Sequence, residues 1–310
     1  MKDTSNNESL TELSYRLITS YHNSVDKNVI TKRLYFMLDL FAALEKPCYV
    51  YNMGTMEDVS YSIEGKVVLV AGGVIGIGAG LIRYLVSHNA MYVVFLDVLE
   101  REGEVLEREL LNQYGGLKAK FIKCDITDEE QLLSAYNQVL EKYRRIDAVI
   151  NNVMVANNDN LEKMIDASYN TVIASTFNAL EEMRADKSGS GGVILNLSSF
   201  LGLTQRNNIL LELSKEVENR EPFSKTKVRI ITAFLGPTDT ALLHISNYIE
   251  NQNNLSGDIF ETQRVTSAVT GVIDVITRAE SGSTWIIVND KPPFEVTDVK
   301  GFDVPDINTV

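Results

Sequence analysis

Residues 67–78 read Val-Val-Leu-Val-Ala-Gly-Gly-Val-Ile-Gly-Ile-Gly, an apolar run that passes directly into a cluster of glycines. A short run rich in β-branched residues predicts a strand, and one without polar alternation predicts a strand covered on both faces. Glycines at its end let the chain turn tightly into a helix, so the segment predicts strand, turn and helix start in immediate succession. Runs of the same texture recur at 92–96, 119–123, 148–150, 192–197, 228–234 and 284–288, separated by longer helical stretches. With 66–70 they make seven strands in a βαβ rhythm, which predicts an α/β fold built on a Rossmann-type, doubly wound parallel sheet.

The glycine segment also suits a ligand. Without side chains the backbone can approach a pyrophosphate, while the following helix offers unpaired N–H groups and the positive end of its dipole. Asp97 ends the second strand 19 residues after Gly78, where a carboxylate accepts hydrogen bonds from an adenosine ribose. Loop and carboxylate together predict a dinucleotide site. The carboxylate would repel a 2′-phosphate, which favours NAD over NADP, and Arg101, four positions on, reads as a solvated helix residue.

Three segments follow. Residues 1–62 are expected to form a helical extension: Leu10, Leu13, Leu17 and Tyr21 share one helical face, and Leu34, Met37, Leu38, Phe41 and Leu44 repeat the pattern before Pro47. Those apolar faces must pack on the main domain, another subunit or a partner. Residues 63–290 make the dinucleotide-binding domain, and 291–310, opened by Pro292-Pro293, an extended C-terminal arm.

Composition removes several function classes. A formal charge of -13 gives a surface that repels nucleic acid and anionic membranes. His22, His88, His244, Cys48 and Cys124 are scattered, so neither a disulfide framework nor a zinc or other metal site is expected. The uncharged stretch between Lys66 and Arg83 is glycine-rich and too short to span a bilayer. Residues 1–10 are polar and lack the apolar core of a secretory signal, so a cytoplasmic location is expected.

The motifs, taken in order, resemble those of the short-chain dehydrogenase/reductase family. Ala71-Gly72-x-x-x-Gly76-Ile77-Gly78 is similar to the family's Thr-Gly-x-x-x-Gly-Ile-Gly fingerprint. Asp125, followed by Ile126, looks like its adenine-contacting aspartate, and Asn151-Asn152 matches the start of its Asn-Asn-Ala-Gly strand end. Asn170 stands where the family keeps a helix-kinking asparagine that supports a proton relay. Asn196-Leu197-Ser198-Ser199 resembles the active-site serine segment, and Leu235-Gly236-Pro237-Thr238-Asp239-Thr240 the Pro-Gly-x-x-x-Thr loop that closes on the nicotinamide. The resemblance covers residues 64 to about 290. Ala71, with Trp285 followed by Pro292-Pro293, points to the branch of insect alcohol dehydrogenases and 15-hydroxyprostaglandin dehydrogenases. It implies NAD held by Gly72, Gly76, Ile77, Gly78, Asp97, Asp125, Ile126, Asn152, Lys215, Gly236, Thr238 and Thr240, and catalytic roles for Asn170, Ser199 and Lys215. It also implies a homo-oligomer, with a small or lipid-like ligand chosen by residues 241–261.

The pattern breaks at one place. The family's chemistry asks for Tyr-x-x-x-Lys, because one helical turn sets the ammonium beneath the phenol and lowers its pKa for proton exchange with the substrate oxygen. The matching segment is Leu211-Glu212-Leu213-Ser214-Lys215, and no tyrosine occurs between Tyr169 and Tyr248. Asn151-Asn152 continues as Val153-Met154 instead of Ala-Gly, and the interval from Lys215 to Gly236 is short for the family. Each departure lies in the nicotinamide half. Ser199 then reads equally as a substrate contact or a structural hydroxyl, Lys215 as a ribose contact or a helix lysine, and Asn170 as structural. The leading expectation is an NAD(H)-binding protein whose oxidoreductase activity is lost or reduced. The alternatives are an active NAD-dependent oxidoreductase of a secondary alcohol or ketone, and an interaction protein using the N-terminal helices.

Overall fold

The computed structural model describes residues 61–116, 118–153, 161–199, 209–241 and 262–296, all within the unit Met56–Val310. The helices expected before Pro47, and the arm beyond residue 296, lie outside the described residues. Among those residues eight strands form one sheet: β1 Val67–Ala71, β2 Tyr92–Asp97, β3 Ala119–Lys123, β4 Ala148–Asn151, β5 Gly192–Ser199, β6 Val228–Leu235, β7 Thr284–Ile287 and β8 Phe294–Glu295. Their order is β3-β2-β1-β4-β5-β6-β7-β8, parallel throughout except for the antiparallel β7–β8 pair. All seven expected strands are present. Strand β8 lies within the stretch expected as an extended arm.

The helices are α1 Gly76–Ser87, α2 Glu100–Tyr114, α3 Glu129–Tyr143, α4 Leu161–Met183, α5 Ile209–Arg220, α6 Phe223–Thr226 and α7 Val265–Arg278. Helices α1, α2 and α7 pack on one face of the sheet, and α3, α4 and α5 on the other. This double cover explains why β1 and β6 are buried along their whole length and why their sequences carry no polar alternation. The largest apolar cluster sits on the first face, where Val68, Val70 and Phe95 meet Leu81 and Leu85 of α1 and Val272 and Ile276 of α7.

The lower edge of the sheet is locked by charge. Asp147 accepts from Val67 N at 2.8 Å and from Arg145, while the Tyr61 hydroxyl donates to the Asp147 carbonyl at 2.7 Å. Arg229 is buried beneath the Tyr61 ring and donates to the Ile276 carbonyl at 2.8 Å and to that of Ala279. Its cation thereby satisfies carbonyls at the C-terminal end of α7, which an α-helix leaves without internal partners. Burial pushes the Tyr61 phenol well above its ordinary pKa, so the lock stays neutral at the tyrosine.

Strand order reverses between β1 and β4, and in open α/β sheets a ligand enters the crevice outside the strand ends at that reversal.

Candidate active site

The glycine segment forms a cradle at the end of β1. Gly72 has φ +79°, and a Cβ added there would lie 2.2 Å from the Asn152 carbonyl oxygen, so no side chain fits. A Cβ at Gly78 would lie 2.3 Å from the Gly72 carbonyl oxygen and 2.8 Å from Gly73 Cα. The cradle is tied to its neighbours on both sides: Gly72 N donates to the Leu96 carbonyl at 2.9 Å, and Asn152 Nδ2 donates to the Gly72 carbonyl at 2.6 Å. Asn152, expected as a cofactor contact, therefore uses its amide to brace the cradle. Ile77, on the first turn of α1, packs against the apolar cluster and is half-buried.

Asp97, expected at the adenosine end, lies beside the cradle. Its carboxylate accepts from Val74 N at 3.3 Å and from Leu99 N at 3.2 Å, so two backbone amides orient it beside the cradle. The Val74 contact was not readable from the sequence, because it joins two strand ends through the turn between β1 and α1. On the adjacent strand end, Asp125 accepts from Thr127 N at 3.0 Å and from the Thr127 hydroxyl at 2.7 Å. Asp125 and Ile126 thus sit in a local turn that leads into α3, whose N-terminus is capped by Asp128.

A buried polar row runs beneath the ends of β4, β5 and β6. Asn151, Asn196 and Thr232 stand side by side in register. Asn151 Nδ2 donates to Asn196 Oδ1 at 2.8 Å, the Ser175 hydroxyl donates to Asn151 Oδ1 at 2.6 Å, and the Thr176 hydroxyl donates to Asn196 Oδ1 at 3.0 Å. Thr232 and Ser214 share a 2.7 Å hydrogen bond that fastens α5 to β6. Side chains buried among apolar strands usually find such partners, although Asn196 Nδ2 has none, and the row ties α4 and α5 to the strand ends.

Helix α5 carries the expected catalytic lysine. Leu211 lies in its first turn and Lys215, half-buried, one turn later. The helix ends only five residues beyond Lys215, and after Pro222 and the single turn of α6 the chain enters β6 at Val228. Asn170 is half-buried inside α4, and Ser199, also half-buried, is the last residue of β5. Burial pushes the Tyr169 phenol above its ordinary pKa.

The loop after β6 completes the rim. Gly236 N donates to the Ile287 carbonyl at 2.9 Å, and the Thr238 hydroxyl donates to the Gly236 carbonyl at 2.9 Å. Thr238 is buried, so its hydroxyl serves the loop and not the open rim. Thr240 reaches the cradle instead: a Cβ added at Gly76 would meet its methyl at 3.2 Å. Gln263, which no local signal marks, binds this loop from behind. Among the described residues no His/Cys/Asp/Glu cluster could hold a metal, and no helix is long and apolar enough to cross a membrane.

Comparison with known proteins agrees with this geometry. A family profile described as short chain dehydrogenase matches residues 66–211, so its match stops at Leu211. The chain is 34% identical to the rat 15-hydroxyprostaglandin dehydrogenase [NAD(+)] over 141 residues, 46% of this chain and 53% of that protein. It thus spans about half the length of that relative. It is 27% identical to alcohol dehydrogenase 2 of Ceratitis cosyra over 238 residues, 72% of this chain and 92% of that one. Among solved structures, a 3-ketoacyl-(acyl-carrier-protein) reductase from Brucella melitensis complexed with NADH superposes with a TM-score of 0.60 at 18% identity, covering 73% of this chain and 98% of that one. A metagenomic blue fluorescent protein in complex with NADPH gives a TM-score of 0.60 at 21% identity, over 73% and 97%. Those two likenesses establish the fold.

Proposed function

Because this chain belongs to the short-chain dehydrogenase/reductase family, we propose that it binds NAD(H) in preference to NADP(H) and has lost most or all of its oxidoreductase turnover. The observation that carries the second half is Leu211, one helical turn before Lys215 at the position of the family's tyrosine.

The residues present fit a dinucleotide. The cradle at Gly72 and Gly78 has no room for a Cβ, which lets the chain turn tightly into the start of α1, where amides and helix dipole favour a pyrophosphate. Asp97, already oriented by two amides, accepts from ribose hydroxyls and repels a 2′-phosphate. Bound NAD(H) supplies the hydride acceptor or donor. Lys215 is the residue that would hold the second ribose and acidify a phenol at 211, and Ser199 the one that would hold a substrate oxygen. Leucine has no proton to exchange. Tyr169 is not a substitute, since burial raises its pKa and a proton donor near neutrality needs the opposite shift. Loss of a positioned acid/base typically costs ~10²–10⁴ in rate, equivalent to about 3–5 kcal/mol of barrier.

The same reading includes a small or lipid-like alcohol or ketone as the ligand, a homo-oligomer and a cytoplasmic location. The names of the relatives, a prostaglandin dehydrogenase and an alcohol dehydrogenase, support that ligand class. The test measures NADH binding by fluorescence and NADH formation with a panel of secondary alcohols, for the unmodified protein and Leu211→Tyr. The unmodified protein should bind without turnover, and the variant should gain oxidation of at least one alcohol. Brisk turnover by the unmodified protein overturns the proposal in favour of an active NAD-dependent oxidoreductase.

A further inference from the structure

We infer that Gln263 is a positioning residue for the loop that meets the nicotinamide half of the dinucleotide, acting through Gly236 and Thr238 without touching the ligand. The inference rests on the reading that the site binds NAD(H). Asp97, at the end of β2, lies on one side of the β1/β4 reversal, and the loop at residues 236–240, at the end of β6, lies on the other. A dinucleotide laid across that reversal with its adenosine at Asp97 has its second half at this loop.

Gln263 is fully buried and holds the loop twice. Its backbone makes an isolated bridge with Thr238, Gln263 N donating to the Pro237 carbonyl and Asp239 N to the Gln263 carbonyl, each at 2.9 Å. Its side-chain Nε2 faces the Ile287 carbonyl at 3.0 Å, the Thr238 hydroxyl oxygen at 3.1 Å and the Gly236 carbonyl at 3.4 Å. Two of these neighbours are carbonyls that only accept, so the NH2 end of the amide must point at them. Its other end, Oε1, is buried without a hydrogen-bond partner. Leaving that acceptor without a partner forfeits its hydration, so the amide's contribution comes from its NH2 end. What the amide does secure is the Thr238 rotamer: the hydroxyl receives Nε2 and passes its own proton to the Gly236 carbonyl.

The consequence reaches the rim. Thr238 is pinned, Gly236 is pressed against Val288, where an added Cβ would lie 2.7 Å from Cγ1, and Asp239 N is held by the Gln263 carbonyl. Next in the chain, Thr240 stands against Gly76 of the cradle. The spacing between the phosphate cradle and the far rim is therefore set by the Gln263 amide.

The experiment compares dissociation constants of NADH and ADP for the unmodified protein, Gln263→Leu and Thr238→Val. ADP reads the adenosine side alone, and leucine keeps volume while removing the donor. Losing one to two buried hydrogen bonds at the far rim should weaken NADH roughly tenfold in Gln263→Leu while ADP stays within about twofold. Thr238→Val should move in the same direction by a smaller factor. Equal weakening of both ligands, or no change in NADH, overturns the inference. If Gln263→Leu does not fold, Thr238→Val decides by the same criterion. Failure of the unmodified protein to bind either ligand removes the NAD(H) reading and this inference together, whereas normal binding with indifferent variants removes only the inference.

Discussion

Replacing Gly78 with alanine places a methyl group 2.3 Å from the Gly72 carbonyl oxygen, 2.8 Å from Gly73 Cα and 3.0 Å from Asn152 Nδ2. The first two neighbours are backbone atoms and cannot rotate aside. Reaching ordinary contact distance means displacing the cradle by about 1 Å, and overpacking of this kind typically costs about 1–3 kcal/mol. The shift also breaks the 2.6 Å bond from Asn152 Nδ2 to Gly72, worth about 1 kcal/mol net. For a domain of this size each kcal/mol lowers Tm by about 2–4 °C, so Gly78→Ala should melt roughly 5–15 °C earlier. Its effect on NADH should be larger. Charge-assisted bonds from cradle amides contribute about 1.5–3 kcal/mol each, and displacing two of them weakens binding at least about a hundredfold. Gly115→Ala is the control: nothing lies within 4 Å of its Cβ, and only its backbone, at φ 60° and ψ 167°, opposes it, at about 1–3 kcal/mol. Differential scanning fluorimetry and NADH titration on both variants decide the matter. A Gly78→Ala protein that melts early yet binds NADH within about threefold of normal would show that the glycine serves packing and not the pyrophosphate.

Two further outcomes follow from the same structure. Asp97→Asn keeps one acceptor for the Val74 and Leu99 amides but removes the charge; titration should find the NADH-over-NADPH preference reduced by roughly tenfold or more, and an unchanged ratio would exonerate Asp97. At the end of α4, the buried Arg184 binds Asp186 at 2.7 Å, Glu221 at 2.7 Å and Glu181 at 3.3 Å; each carboxylate also has a lysine beside it and is partly exposed, so Arg184→Leu should cost about 1–2 kcal/mol. Arg184 holds the Asp186 carboxyl down to about 2, and a depressed acid stabilises the fold above its unfolded pKa and loses that effect as pH falls toward the folded value. The melting temperature should therefore drop more steeply between about pH 4 and 2 in the unmodified protein than in Asp186→Asn, and parallel profiles would contradict the assignment.

The sheet was legible because each strand announces itself locally: β1 and β6 are apolar along nearly every position, and glycines or turns bound them. Strand β8 was not legible, because two residues have no periodicity and the preceding prolines signal an arm. The cradle was legible for the same local reason. Its supports were not, since Asn152 reaches Gly72 from 80 residues away and Val74 meets Asp97 across 23. Register decides such contacts, and no spacing rule reveals it. Asn151 and Asn196 show the limit well: each stands in a motif noticed for its neighbours, yet it is the alignment of β4 with β5 that makes them partners. Thr238, chosen by motif, donates its hydroxyl within the loop itself, a contact the motif does not reveal.

The proposed adenosine side of the site is held in shape without its ligand. Asp97 has its amides, Gly72 its asparagine, and the cradle its shape. A site already organised loses little ordering entropy on binding, so the adenosine half can capture a nucleotide whether or not chemistry follows. The nicotinamide side is organised in a different sense. Its loop is pinned by Gln263 and its helix by Ser214 and Thr232, and on the proposed reading Leu211 stands in place of the proton-exchanging residue. Removing one acid/base group abolishes turnover and leaves binding contacts elsewhere untouched, because the phenol acts on the transition state while the cradle and Asp97 act on the ground state. Retained capture with lost turnover is therefore the expected result of this one substitution, and the Leu211→Tyr variant measures how much of the remaining geometry still suits the reaction.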